Sequence, residues 1–194
     1  MAKLSGVLIH EAGHAVAGVL AGLRVMEVSA VRDGRFMGSA WIDMQSDWIA
    51  AAASTGDPLT ESMAWRGAVG RGFVLLAGYQ AHRAVHRISG GHAFLEGGQR
   101  DFEMLRDIIE PWQEVDDLVR RMTDATWSAV KRAPFQAAVR SVAAAVRDSG
   151  GVLDGIEAEQ IALATLGQDT IEEWDREGAA SMLGLAEIPA LKRA

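Results

Sequence analysis

Small and apolar residues fill the stretch from Val7 to Leu23, broken by polar side chains at His10, Glu11 and His14. This pattern predicts a helix from Leu4 to about Leu23, with Ser5 as N-cap and Gly22 near its end. Ala12, Gly13, Ala15, Ala17, Gly18, Ala21 and Gly22 are small enough to let another backbone come close. From Val25 to Asp43 β-branched and aromatic residues flank Asp33-Gly34. Asp-Gly favours a two-residue hairpin turn, since both positions need positive φ, so strands are placed at Val25–Arg32 and Arg35–Asp43. Residues 44–58 read as a loop with a short helical piece. A long helix follows over Leu59–Ile88, with Gly67, Gly70 and Gly72 as candidate bends. Ser89 to Gly98 is a glycine-rich loop, and the next helix, opening near Gln99, is interrupted by Pro111. Further helices are predicted over Gln113–Arg132, Pro134–Arg147 and Ile156–Thr165. The stretch from Gln168 to Ala194 is weakly patterned and holds at most one more helix. The expected fold class is mainly α, with a small β-hairpin or sheet.

The composition fits such a domain. Of 194 residues, 49% are hydrophobic and 23% charged, enough for a sizeable core. A net charge of -7 argues against a nucleic-acid partner. With no cysteine there is no disulfide, thiolate ligand or cysteine nucleophile. Burying two His and a Glu in lipid would be expensive, so Val7–Leu23 is not expected to span a membrane. It also lacks the charged front and cleavage site of a secretory signal. The expectation is a soluble, cytoplasmic protein.

His10-Glu11-Ala12-Gly13-His14 is an HExxH arrangement. Residues four apart on a helix share a face, so both imidazoles can reach one ion. Catalytic zinc typically has about three protein ligands and an open position for water, whose pKa it lowers to roughly 7. Glu11, beside the two ligands, can take the water proton and later pass it to the leaving amine. HExxH also arises by chance on exposed helices. Here the flanks are apolar or small, so the polar trio is expected to be buried or to line a cleft, where charge needs a partner or a metal.

A third ligand must then exist. The extended HExxHxxGxxH form would need Gly at Ala17 and His at Leu20, and a downstream Asn-Glu pair is ruled out because the chain has no Asn. An acidic residue opening a later helix remains. Asp101 follows the glycine loop, in a first turn where the helix dipole favours a carboxylate. It would serve equally well as a helix cap. Glu103 and Asp107, then Glu96, stand behind it. His82 and His86 are also four apart, with His92 in the following loop. Arg83 and Arg87 disfavour a cation there and no glutamate holds the base position, so a surface or structural histidine pair is expected.

The chain resembles a known family at these residues. HEAGHAVAG is similar to the zinc-binding helix of the peptidase domain of FtsH-type AAA proteases. In the same order, VSAVRDGRFMGSAWI resembles the family's strand–turn–strand segment, and FVLLAGYQAHRAV its leucine-rich helix. EGGQRDFEMLRDI is similar to the segment that contributes an Asp ligand, and LDGIEAEQI to a C-terminal helix start. The resemblance implies one Zn²⁺ per chain, held by His10, His14 and Asp101, with Glu11 as catalytic base. It implies a metallopeptidase domain over residues 1–166, and residues 167–194, beyond the resemblance, are expected to be a C-terminal helical tail that can pack on the same domain. There are departures. Tyr79-Gln80-Ala81-His82 stands where the family has Arg-Ala-Ala-Glu, and Gln99-Arg100 where it has Ser-Asn. The helix preceding the family's HExxH is missing or replaced, and no Walker A loop is present. Peptidase action is therefore expected without ATP in this polypeptide, with an ATPase partner in trans and a homo-oligomer both left open.

Peptidases often bind extended polypeptide as an added strand on an exposed sheet edge. The Arg35–Asp43 strand is the candidate edge, with Phe36, Met37, Gly38 and Ser39 as substrate-binding residues and Gly38 permitting close backbone approach. Phe36 and Trp41 would serve equally to close the core. The expected function is zinc-dependent endopeptidase action on unfolded or extended polypeptide. The alternatives are a catalytically silent peptidase-like adaptor, which would bind peptides or a partner protein, and a regulatory metallopeptidase with one dedicated substrate.

Overall fold

The Ser5 hydroxyl accepts a hydrogen bond from the Leu8 N–H at 3.3 Å and opens helix α1, Gly6–Leu20. Every residue from Leu8 to Gly18 is buried. Burial all around a helix marks it as the centre of a core. This computed structural model describes residues 5–31, 38–43, 57–93 and 98–190.

The most extensive partner of α1 is α2, Pro58–His86. Asp57 caps it through the Thr60 N–H at 2.9 Å, and Pro58 fits the first turn because its missing N–H would lack a helical partner anyway. The helix continues through Gly67, Gly70 and Gly72, all within Pro58–His86. The two helices touch backbone to backbone at Gly13. A Cβ there would lie 2.7 Å from Ala81 Cβ and 2.8 Å from the Ala77 carbonyl oxygen. The small residues of α1 thus bring its polar trio hard against α2.

Around this pair are arranged α3 (Gly90–Ala93), α4 (Gln99–Ile109), α5 (Val115–Val130), α6 (Ala133–Asp148), α7 (Gly155–Leu166) and α8 (Gln168–Met182). Helix α4 stops before Pro111, as expected from the missing N–H. Helix α8 contains one non-helical residue, Gly178, at φ 73° and ψ 157°. Trp174 of α8 stacks on Phe73 with ring centroids 5.1 Å apart, and the Trp65 indole N–H donates to the Leu185 carbonyl at 2.8 Å. The segment after residue 166 therefore contributes to the same core as α1 and α2.

Three short strands complete the fold among the described residues: β1 (Val25–Ser29), β2 (Ser39–Ile42) and β3 (Val152–Asp154). They form an antiparallel sheet in the order β2-β1-β3. Val28 pairs with Ala40 on one side and Leu153 on the other. The sequence reading anticipates β1 and β2 with longer bounds and does not anticipate β3. The Asp33-Gly34 turn lies outside the described residues. The protein is thus mainly helical with a small sheet, and among the described residues β2 is an edge strand. Among the described residues no helix is long and apolar enough to cross a membrane.

Candidate metal centre

Helix α1 places His10 and His14 one turn apart on the face turned toward α2 and α4. The two imidazoles and the Glu11 side chain are all buried, at 7–8% exposure. Asp101, in the first turn of α4, closes the group from the far part of the chain. His10 Nε2 and His14 Nε2 are 2.9 Å apart, and Asp101 Oδ2 lies 3.2 Å from the first and 3.5 Å from the second. Ligands at 2.0–2.1 Å in a tetrahedron stand about 3.3 Å from one another, so these separations suit one small cation. Asp101 Oδ2 forms no well-directed hydrogen bond despite its depth, and neither does His10 Nδ1. The donor set is two neutral-capable imidazole nitrogens and a carboxylate oxygen, and it could hold a metal ion. Among the described residues no other group of three such donors gathers.

The second nitrogen of His14 is committed elsewhere. Its Nδ1–H donates to the Val74 carbonyl of α2 at 2.7 Å. That bond selects the tautomer whose Nε2 lone pair faces His10 and Asp101, the outer-sphere arrangement that orients metal-binding histidines. Room for the ring comes from Gly78, one turn along α2. A Cβ at this position would lie 2.6 Å from His14 Cε1 and 2.8 Å from Cδ2.

Electrostatics binds the cluster together. Burial alone would lower the His14 pKa, but the Asp101 carboxylate, helped by Glu11 and the Val74 carbonyl, outweighs it and pushes the value up to about 9. Burial acts on Asp101 in the opposite sense to its neighbours, and the His14 and His10 rings hold its carboxyl well below the usual carboxylate range. For Glu11 burial wins. Its carboxyl is raised above the ordinary glutamate value, although His14, His10 and a backbone hydrogen bond from Ala40 favour the charged form.

The start of β2 passes directly over Glu11. A Cβ on Gly38 would fall 2.9 Å from Glu11 Cγ and 2.7 Å from Val7 Cγ1, so only glycine fits without displacement. Ser39 opens the strand and is exposed. Phe36 and Met37, the other two expected substrate contacts, lie outside the described residues, as does Glu96. Glu103 and Asp107 face solvent, and Glu103 accepts a hydrogen bond from Gln99 at 3.0 Å. His82 and His86 meet edge to face with centroids 5.2 Å apart, and His82 is buried.

Sequence reasoning missed Val74 and Gly78 as parts of the site. The one available signal was the spacing of Val74 and Gly78, which puts them on a common helical face. Matching the chain to protein-family models finds no match, and a search of curated proteins finds none either.

Proposed function

We propose that this chain is a zinc-dependent endopeptidase acting on unfolded or extended polypeptide. The observation that carries the reading is the convergence of His10, His14 and Asp101 within 4.8 Å of one another, next to a buried glutamate with a raised pKa. The N₂O donor set is one that catalytic zinc sites use, since three protein ligands leave a position open. When bound, the ion supplies Lewis acidity that makes water a competent nucleophile near neutral pH.

The remaining chemistry belongs to the chain. The Glu11 carboxylate accepts a proton from the attacking water and returns it to the nitrogen of the departing amine. A carboxyl raised by burial is better matched to that shuttle at neutral pH than an ordinary one. His10, His14 and Asp101 keep three donors pre-arranged, so little reorganisation is needed. The outer edge of β2, unpaired among the described residues, offers backbone N–H and C=O groups to an extended substrate, with Gly38 and the Ala40 backbone against Glu11. Backbone pairing of this kind makes recognition tolerant of sequence.

The test is metal analysis together with cleavage of an unfolded model protein such as a casein. Wild type is expected to hold one zinc per chain and to cleave. Glu11→Gln is expected to keep the metal and lose cleavage by at least about a hundredfold. Equal activity in the two chains would overturn the mechanism.

A further inference from the structure

Helix α4 carries Asp101 in its first turn, preceded by Gly98 with helical φ and ψ, and among the described residues no side chain caps that turn. Asp101 must hold its carboxylate beside both imidazoles.

Tyr79 packs on both sides of that turn. It sits on α2 immediately after Gly78 and is 8% exposed. Its Cβ and Cδ2 press so closely on Gly98 that a side chain at that glycine would meet both at 3.2 Å. Its ring meets Phe102 edge to face, with centroids 5.6 Å apart and planes at 79°. Gly98 and Phe102 are one turn apart and bracket Asp101. Consecutive residues of α2 therefore serve the two halves of the site: Gly78 seats the His14 ring, and Tyr79 grips the turn that bears the carboxylate.

We propose that Tyr79 is a positioning residue acting through Asp101, an inference that rests on reading His10, His14 and Asp101 as metal ligands. The atoms that meet Gly98 and Phe102 are Cβ and the ring, all of which phenylalanine keeps. Phenylalanine should therefore replace tyrosine, whereas leucine, of similar apolar bulk but without a flat face, should not.

Zinc affinity of the full chain, measured by competition with a chromophoric chelator, tests this without reference to activity. Tyr79→Leu is expected to weaken zinc binding by about 10- to 100-fold, the range for lost outer-sphere support, and Tyr79→Phe by less than about threefold. In an Asp101→Ala background, Tyr79→Leu is expected to change affinity less than about twofold, because the group it acts through is gone. An unchanged affinity in Tyr79→Leu, or an equal loss in both backgrounds, would overturn the proposal. Should Tyr79→Leu fail to fold, Phe102→Leu removes the same ring contact from the α4 side and enters the same comparison. Wild-type chain that takes up no zinc in this titration would instead defeat the ligand reading itself, and this inference with it.

Discussion

The imidazole of His14 occupies the space that a side chain at Gly78 would need. Within a helix, glycine is about 1 kcal/mol worse than alanine, so its presence at the middle of α2 requires a reason. The reason is the ring lodged there, held by the Val74 carbonyl one turn earlier. Gly78→Ala is expected to displace His14, lower zinc affinity at least about tenfold and destabilise the fold by about 1–3 kcal/mol through overpacking. Gly67 lies on the same helix with open space around its Cα. Gly67→Ala should stabilise by up to about 1 kcal/mol, from helix propensity alone. Urea unfolding of the two variants, with zinc titration of the first, checks the opposite signs.

On the proposed reading, zinc and a proton compete for His14. Its pKa is raised to about 9 in the metal-free fold, chiefly by Asp101 acting against burial, so at pH 7.5 the ring is protonated. A metal ligand must be neutral. Uptake of zinc at pH 7.5 should therefore release about one proton from this ring, and apparent affinity should rise with pH until about 9. Calorimetry in buffers of different ionisation enthalpy counts the proton. The same shift sets the stability of the metal-free chain. A folded-state pKa above the unfolded value gives His14 a stabilising contribution that is full below about 6.5 and is lost as pH rises through about 9. Asp101, with a lowered pKa, contributes above its ordinary value of 3.8 and loses that contribution as pH falls. Melting temperature of the metal-free protein should thus decline between pH 6.5 and 9, an effect that bound zinc removes.

The parts of this architecture that were legible from sequence are those whose signal is periodic. HExxH fixes its own geometry, because a spacing of four is one helical turn whatever surrounds it. Asp101 could be picked out by its place after a glycine loop and at a helix start, although spacing alone did not separate it from a capping role. Helices α4 to α7 were visible from their apolar faces and from Pro111. What stayed hidden depends on partners. Val74 acts through its carbonyl, a group every residue has, and its side chain carries no sign of that use. Tyr79 reads as one more apolar residue in a run of them. Strand β3 is only three residues long and exists because β1 has a free edge to offer, so no alternation announces it.

Metal removal should be measurable as lost stability. Three donors gathered from α1 and α4 exist together only in the folded chain, so the zinc proposed to bind them would favour the native state over the unfolded one. An ion at a thousand times its Kd adds about 4 kcal/mol. For a chain of this size that corresponds to roughly 10 °C in melting temperature. Thermal melts with and without a strong chelator, at pH 7.5, should show that difference in wild type and little of it in His14→Ala. Equal shifts in both chains would place the stabilising ion elsewhere.

Glu11 offers a conflict between chemistry and stability. Burial raises its carboxyl above the ordinary glutamate value, which means the folded state binds this proton more tightly than the unfolded state does. Its contribution to stability therefore falls as pH rises through that window, and at higher pH the metal-free fold carries a buried charge at a cost. Glutamine keeps an oxygen for the Ala40 backbone hydrogen bond and carries no charge. Metal-free Glu11→Gln is thus expected to be more stable than metal-free wild type at pH 8, and to lose most of that advantage near pH 4, where both side chains are neutral. Chemical denaturation at the two pH values decides it. A variant less stable than wild type at pH 8 would mean that the imidazoles and the Ala40 N–H already satisfy the Glu11 charge. In that case the raised carboxyl, and with it the match between Glu11 and a proton shuttle at neutral pH, would have to be abandoned. A more stable but inactive variant would mark Glu11 as a residue that the fold tolerates for its chemistry, as expected where a polar side chain is buried for function.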